Sequence, residues 1–328
     1  MTISADTVAR LRSEISIDGV YAARDIIQQY LPRTPLIRHP LLLESLGCEV
    51  YVKHENHLPT GSFKIRGGLN LLAQLSQEDR HKGVVTATRG NHGQSIAMAS
   101  SIHGVRCVVV VPHGNNPEKN AAMRAYGAEL IEQGRDFDEA REYAEGLVDA
   151  EGLRYVHSAN EPQLIHGVGT YTLEILEDLP DTDVLVIPVG GGSAISGAIT
   201  VCAALKPDVE IVGVQAEQAP SVYESWRSKG HVTTKTADTF ADGLATRVPF
   251  ALTLDIIREG VTDMALVSEE EMREMIVTLI RTTHNLAEGA GAAALAAVRK
   301  IGARWTGKRV VAVLSGGNLD TAVLRTLL

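Results

Sequence analysis

Several short stretches of the chain are apolar at every position instead of at alternate positions. Continuous apolar runs are typical of strands that are covered on both faces, as in a parallel β-sheet. These runs predict buried strands at residues 84–86, 108–111, 184–189, 211–214 and 310–314.

Helical stretches separate these predicted strands. Pro117 predicts the first turn of one helix, and the Glu- and Ala-rich residues 137–148 predict another. Ser268, with Glu271 three residues later, forms a capping box that predicts a further helix start. Alternating strands and helices indicate βαβ units, and therefore an α/β fold with an open, twisted, mostly parallel sheet. The polar and aperiodic residues 220–239 predict a surface segment between elements.

One segment raises the question of a membrane helix. Residues 184–205 contain no charged side chain and are long enough to cross a bilayer. They also contain Pro188 and several glycines, which would break a helix near its middle. We therefore predict a buried strand, a glycine loop and a helix. Charged residues within the first fourteen positions also predict that no signal peptide is present.

Composition and charge narrow the class of protein. A chain of 328 residues predicts about two domains at roughly 150 residues each. A total of 31 Lys and Arg against 40 Asp and Glu gives a net charge of −9, which disfavours a nucleic-acid partner. Cys48, Cys107 and Cys202 form no CxxC pair, which fits a reducing compartment, so we expect a cytoplasmic protein with a small-molecule partner.

The first candidate for chemistry is a lysine in the segment Thr60–Gly68. Turn residues precede Lys64 and helix formers follow it, which places it at a predicted helix start. There the helix dipole and any burial lower the pKa of the ammonium group. Such a lysine can form a Schiff base or act as a general base, whereas most lysines are solvated surface residues.

Three further loops follow predicted strands, where α/β folds bind ligands. In residues 86–94, Asn91 and the adjacent backbone are suited to a carboxylate, although Asn91 as a plain helix N-cap explains the pattern equally well. Gly190, Gly191 and Gly192 would let the backbone approach a phosphate closely. Ile195 stands where a dinucleotide fingerprint needs its third glycine, so an NAD site is disfavoured. The fourth loop is residues 314–318, which place Ser315 and two glycines after the last predicted strand.

Two other patterns are set aside. Residues 302–308 match GxxxxGK, but Arg309 and a predicted strand follow instead of Ser or Thr and a helix. The eleven histidines include no HExxH pair, so we predict no metal centre from them.

Together, SFKIRG at Lys64, RGNHGQ at Asn91, GGGS at Gly190 and SGGN at Ser315 resemble pyridoxal-phosphate enzymes of the tryptophan-synthase-like class, fold type II. The serine/threonine dehydratases and serine racemases are the most similar members, and the resemblance runs from residue 33 to residue 318. It implies two open, twisted, mostly parallel sheet domains flanked by helices. Residues 1–74 and 161–328 would form the large cofactor-binding domain, residues 75–160 the small one. It also implies a homodimer. Because no residue follows Leu328, we expect the C-terminal regulatory domain of biosynthetic threonine dehydratases to be absent.

The resemblance assigns roles to individual residues. Lys64 would attach pyridoxal 5'-phosphate and remove the substrate α-proton, and Asn91 would bond the ring hydroxyl. Ser315 would face the pyridine nitrogen, and Phe63 would pack beside the ring. The phosphate would be bound by Gly190, Gly191, Gly192 and Ser193, and the substrate carboxylate by the loop of Thr88, Arg89, Gly90, Asn91 and His92. Asp242-Gly243 and Glu288-Gly289 match further active-site segments more loosely.

The implied reaction is the deaminating dehydration of a β-hydroxy-α-amino acid. Threonine, serine, 3-hydroxyaspartate and a 3-aryl-serine all remain open as substrates. A racemase or a β-replacement synthase is the first alternative, and a non-catalytic cofactor- or amino-acid-binding protein is the second.

Two positions depart from the serine racemase pattern. Arg89 stands where racemases carry a serine that serves as the second base, and a guanidinium is a poor base. It would either bind a carboxylate or turn outward to pair with an acidic residue. Gln215 and Ser221 occupy the two carboxylate positions of the racemase metal site, so we predict no divalent cation there.

Overall fold

Two β-sheets organise the chain in the computed structural model, which describes residues 4–328. The strands are β1 (Leu36–Ile37), β2 (Val50–His54), β3 (Val84–Ala87), β4 (Cys107–Val111), β5 (Glu129–Glu132), β6 (Arg154–Tyr155), β7 (Val184–Pro188), β8 (Glu210–Ala216), β9 (Asp263–Val267) and β10 (Val310–Leu314). The helices are α1 (Ala5–Glu14), α2 (Ile17–Ile27), α3 (Pro40–Leu46), α4 (Lys64–Ala73), α5 (Gln77–Lys82), α6 (Asn91–His103), α7 (Pro117–Ala125), α8 (Phe137–Glu151), α9 (Pro162–Asp178), α10 (Ser193–Leu205), α11 (Ser221–Ser228), α12 (Ala251–Gly260), α13 (Glu269–Thr283), α14 (Gly289–Ile301) and α15 (Thr321–Leu327). Short 3-10 helices lie at Glu55–His57, Asp242–Leu244 and Gly302–Trp305.

The larger sheet has six strands in the order β1-β2-β10-β7-β8-β9. Only the edge strand β1 is antiparallel to its neighbour. His54 at the end of β2 lies opposite Leu314 at the end of β10, and β7 lies on the other side of β10. Because parallel strands end at one edge of a sheet, the loops after β10 and β7 lie at the same edge.

The smaller sheet is fully parallel, in the order β5-β4-β3-β6. All four of its strands come from residues 84–155, and the strands of the larger sheet come from residues on either side of that range. The expected α/β architecture of two mostly parallel sheets flanked by helices is thus confirmed. The domain boundaries at residues 74/75 and 160/161 stay a prediction.

The predicted elements are found with small shifts of their ends. Residues 184–205 form β7, a glycine loop and α10, and Ser268 and Glu271 form both bonds of the capping box. The prediction for residues 220–239 was incomplete, since α11 lies in that segment and buries Val222 and Ser225. Across residues 4–328, no helix combines the length and the apolar character that crossing a membrane requires.

A buried network of charges fixes the start of α4. Arg66 donates to Glu55 Oε2 at 2.7 Å and to Glu174 Oε1 at 2.7 Å, and Lys53 donates to Glu174 Oε2 at 2.6 Å. Burial alone would lower the pKa of Arg66, but the two carboxylates raise it. Two cations and two anions balance, which makes their burial tolerable. The network holds the helix whose first residue is Lys64.

Candidate active site

The Lys64 side chain points at the start of α10. Its Nζ lies 3.2 Å from the Ser193 hydroxyl and 5.0 Å from the centre of the Phe63 ring. Burial lowers the pKa of the Lys64 ammonium to about 8. About a tenth of such amines are unprotonated at neutral pH, against fewer than about one in a thousand for a free lysine. Lys64 is therefore an amine that can act as a nucleophile or a base.

The glycine loop between β7 and α10 has no room for side chains. A Cβ on Gly190 would overlap the carbonyl oxygen of Gly243, and one on Gly191 would lie 2.9 Å from the Phe250 ring. Gly192 has a φ of +88°, in the left-handed region that favours glycine. Thr253 Oγ1 donates to the Gly191 carbonyl at 2.7 Å and fixes the loop. The result is a bare backbone at a helix N-terminus, which suits a phosphate group.

The loop after β10 packs directly on the loop that carries Lys64. The Phe63 backbone N–H donates to the Ser315 carbonyl at 3.1 Å, and Ser62 forms an isolated antiparallel bridge with Gly316. Ser315 itself is 5% exposed. The structure therefore brings Ser315 beside Phe63, the residue before Lys64, and the role of Ser315 toward the pyridine nitrogen stays a prediction.

Asn91 is the first residue of α6, and the N-cap position belongs to Gly90, so the interpretation of Asn91 as a plain N-cap was wrong. The Asn91 Nδ2 donates to Glu288 Oε1 at 2.5 Å, and its Oδ1 accepts from Asn318 Nδ2 at 2.8 Å. The first turns of α4 and α6 are also joined, because Ser95 Oγ donates to the Lys64 carbonyl at 2.6 Å. All four sequence motifs thus meet at one place.

The loop between β3 and α6 is held by its own side chains. Thr88 Oγ1 accepts from the Gly90 N–H at 3.0 Å and from the Gly93 N–H at 3.3 Å. His92 is 6% exposed, and neither ring nitrogen makes a hydrogen bond of normal geometry to a described residue. Burial lowers the pKa of His92 to about 3, so the ring is neutral near pH 7.

Arg89 differs from its neighbours in the loop. Its side chain is 49% exposed, and its Nη2 lies 3.6 Å from Asp242 Oδ1. This is the outward pairing with an acidic residue that the sequence left open. The separation exceeds that of a good hydrogen bond, so most of the guanidinium donors remain available.

The sequence analysis did not identify Lys119 as a residue of the site. It lies in the first turns of α7, is 8% exposed, and its Nζ is 2.7 Å from Asp242 Oδ2. Burial opposes its charge, but Glu288 and Asp242 raise the pKa of Lys119 overall. A lysine in a polar helix gives no sign of burial in sequence, so only the tertiary structure could identify it.

Gln215 and Ser221, the residues aligned with the metal ligands of serine racemases, make hydrogen bonds to backbone groups. The Gln215 amide donates to the Val189 carbonyl at 3.2 Å and accepts from the Tyr223 N–H at 2.8 Å. The Ser221 hydroxyl donates to the Thr246 carbonyl at 2.6 Å. In the part of the chain that the structure describes, no group of three or more His, Cys, Asp or Glu side chains is arranged to hold a metal ion. The prediction of a metal-free site stays a prediction.

The fold and the site define the class of protein. A half-buried lysine, a bare glycine loop at a helix start, an amide and a hydroxyl lie together beside two mostly parallel sheets. This donor set fits a phosphorylated pyridine aldehyde, because the amine matches its aldehyde and the bare backbone at the start of α10 matches its phosphate. The class is that of the fold type II pyridoxal-phosphate enzymes.

Comparison with known proteins places the chain within that class. The family model for pyridoxal-phosphate dependent enzymes matches residues 27–316, and the chain belongs to this family. L-threonine ammonia-lyase of Thermotoga maritima is 40% identical over 311 residues, which cover 94% of this chain and 77% of that protein. The predicted family, cofactor and enzyme class, a pyridoxal-phosphate-dependent lyase, are confirmed.

Two solved structures show the same fold. The processed form of threonine deaminase isoform 2 from Solanum lycopersicum has a TM-score of 0.89 at 31% identity, covering 99% of this chain and 94% of that one. Maize serine racemase has a TM-score of 0.91 at 27% identity, covering 95% and 96%. The structural relatives therefore include both a deaminase and a racemase.

Proposed function

We propose that this enzyme is a deaminating dehydratase of a β-hydroxy-α-amino acid. The substrate loses water across its Cα–Cβ bond, and hydrolysis of the resulting enamine gives an α-keto acid and ammonia. The observation that carries the proposal is the Lys64 amine, with its pKa lowered to about 8, placed 3.2 Å from the phosphate-loop residue Ser193. The similarity to proteins named L-threonine ammonia-lyase supports this reaction.

Each side chain of the site has a part in the proposal. Bound pyridoxal phosphate supplies a conjugated ring that takes up the electron pair left at Cα. Lys64 would hold the cofactor through its Nζ, and as a free amine the same Nζ would accept the α-proton. Ser193 and the three glycines before it would bind the phosphate, and Phe63 would pack beside the ring.

Ser315 favours elimination over other outcomes. A serine hydroxyl is too weak an acid to protonate a pyridine nitrogen, whereas an aspartate partner keeps that nitrogen charged. Negative charge at Cα is then less well stabilised by the ring. Loss of the β-hydroxyl relieves that charge immediately, which favours dehydration.

The substrate loop supports a carboxylate-bearing substrate. We propose that the backbone of residues 88–92 receives the α-carboxylate at the start of α6, where the helix dipole favours an anion. Arg89 would bind either that carboxylate or a second one on the β-carbon. The second arrangement would admit 3-hydroxyaspartate, while threonine is the substrate named for the relatives.

A racemase is the second candidate, because maize serine racemase shares the fold. The Arg89 guanidinium cannot serve as a proton acceptor on the second face of the cofactor. The dehydratase is therefore favoured.

A panel of L- and D-β-hydroxy amino acids, assayed for keto acid and ammonia, tests the proposal. We expect keto acid and ammonia in equal amounts from one stereoisomer of at least one substrate. Interconversion of L- and D-serine that outpaces keto acid release would show a racemase instead. A purified chain that takes up pyridoxal phosphate but transforms no panel member would contradict the dehydratase.

We also propose a homodimer in the cytoplasm. The free cysteines Cys48, Cys107 and Cys202, the last two buried, support a reducing compartment. Light scattering on the purified enzyme would measure a mass twice that of the chain, and a monomeric mass would overturn the dimer.

A further inference from the structure

A chain of hydrogen bonds fixes the rotation of the Asn91 amide. The Thr60 carbonyl can only accept, so it receives the Asn318 Nδ2 at 2.8 Å. The same Nδ2 donates to Asn91 Oδ1 at 2.8 Å, which turns the Asn91 nitrogen toward Glu288. An ionised carboxylate also only accepts hydrogen bonds. Both ends of this hydrogen-bond series, Thr60 and Glu288, therefore require the same rotation of the Asn91 amide.

Glu288 is unusual for a glutamate because it is 6% exposed and lies on the loop before α14. It packs so tightly against the loop of Ser315 that a Cβ on Gly316 would overlap its Oε1. Burial raises the pKa of the Glu288 carboxyl, while Lys119 and the bond from Asn91 oppose that rise. An unpaired buried carboxylate is costly, so a glutamate at this position calls for a specific partner.

We infer that Glu288 and Asn318 are positioning residues, which hold the Asn91 amide so that an N–H group, and not the carbonyl, faces the ring oxygen of the cofactor. The amide nitrogen has two hydrogens, and Glu288 takes one of them. The second is left to donate to the ring oxygen, which carries negative charge. The inference rests on the proposed function, in which Asn91 contacts that oxygen.

This role differs from ordinary structural support in one respect. If Glu288 acts through Asn91 on the ring oxygen, its removal matters only when the cofactor has that oxygen. If Glu288 merely supports the fold, its removal weakens every pyridine ligand of the site equally. A cofactor analogue that lacks the ring hydroxyl, 3-deoxypyridoxal phosphate, therefore separates the two roles.

The experiment titrates the apoenzyme with pyridoxal phosphate and with the 3-deoxy analogue, following absorbance. Glu288→Met should weaken binding of pyridoxal phosphate roughly three- to tenfold, as expected for one hydrogen bond, and leave the analogue within about twofold. Glu288→Gln should retain most of the wild-type affinity for pyridoxal phosphate, because its side-chain oxygen can still accept a hydrogen bond from Asn91. Asn318→Met acts on the other end of the amide and should show the same selectivity for the natural cofactor.

Glu161→Met is the matched control, since Glu161 is also buried but bonds Arg154 instead. Its ratio of affinities for the two ligands should equal that of the wild type. Equal losses for both ligands in Glu288→Met and Asn318→Met, or no loss in either, would overturn the inference. If the wild-type chain bound neither ligand, the proposed function itself would fail, so the two failures are distinguishable.

Discussion

In the proposed function, Lys64 combines two roles in a single side chain, as the covalent anchor of the cofactor and as the base. Replacing Lys64 with Ala should remove the visible absorption of the bound cofactor together with the activity, because no other amine contacts Ser193 in residues 4–328. The protein should still fold, since the buried charge network at the start of α4 is made by the Arg66 side chain and not by that of Lys64. Absorbance, keto acid release and circular dichroism measure the three outcomes.

The control for this variant is Lys82→Ala, which removes an exposed lysine that pairs with Glu78 one helical turn away. It should retain both the absorbance and the activity. Turnover near the wild-type rate in Lys64→Ala would mean that another group anchors the cofactor.

Arg89 tests the substrate pocket at the scale of one residue. Arg89→Ala should lower kcat/KM by roughly ten- to a hundredfold for the preferred substrate, as loss of a charge-assisted hydrogen bond predicts, and should keep the cofactor absorbance. If Arg89 binds a second carboxylate, the loss should be largest for 3-hydroxyaspartate and small for threonine and serine. Steady-state kinetics on the substrate panel measures these ratios.

Arg124→Ala, which removes an exposed arginine paired with Glu132, is a suitable control. A value of kcat/KM that Arg89→Ala leaves unchanged on every substrate would refute a substrate-binding role. Arg89→Ser restores the hydroxyl found in racemases, and chiral chromatography would show whether L- and D-serine then interconvert faster.

Gln215 and Ser221 bear on the need for a metal. Both side chains are already bonded to backbone groups and neither carries a charge, so they would hold a hard cation poorly. Treatment with a chelator should leave most of the activity. A loss that added magnesium or calcium reverses would show a site built from other residues.

At the scale of elements, the loop between β7 and α10 depends on missing side chains. Gly190→Ala should weaken cofactor binding by roughly tenfold or more, because its Cβ would overlap the Gly243 carbonyl and displace the loop. Equilibrium titration with pyridoxal phosphate measures the change.

Gly146→Ala is the matched control, since a Cβ there, in the middle of α8, meets no atom within 4 Å. It should leave cofactor affinity unchanged and raise the free energy of unfolding by roughly 0.4–1 kcal/mol. Wild-type affinity in Gly190→Ala would show that the loop can move without affecting the phosphate site.

The secondary-structure elements show which helices and strands the sequence could predict. The predicted strand at residues 310–314 matches β10, and the capping box at Ser268 begins α13 as expected. The strands β1, β2, β5, β6 and β9 and the helix α11 were not predicted. Two-residue strands carry too little pattern to detect, and α11 buries a narrow apolar face within a polar segment.

At the scale of the whole molecule, ion pairs such as Lys119–Asp242 and Arg247–Asp138 join residues that lie beside the two different sheets. Lys119 lies on α7, between β4 and β5 of the smaller sheet, and Asp242 lies between β8 and β9 of the larger one. Lys119→Met should lower kcat/KM roughly tenfold, because it leaves Asp242 with only the 3.6 Å Arg89 pair among residues 4–328 and removes a charge that favours ionised Glu288. Steady-state kinetics and urea unfolding measure the effect on catalysis and on stability.

Lys82→Met is the matched control, because its exposed pair with Glu78 lies within one helix. It should stay within about twofold of the wild type, as surface ion pairs contribute little. An equal, small effect in both variants would show that the Lys119–Asp242 pair has no part in activity.

The sequence alone determined the fold class, the family, the cofactor and the four motifs, because each motif is local. A lysine between Gly-Ser-Phe and a glycine pair, or three glycines after a buried strand, carries its chemistry within a few residues. Only the tertiary structure decided which distant groups act on those motifs. Lys119 reaches Asp242 across 123 positions, and Glu288 reaches Asn91 across 197. Burial and pairing of charges depend on how the sheets bring loops together, and a single position in a sequence carries no record of its partner.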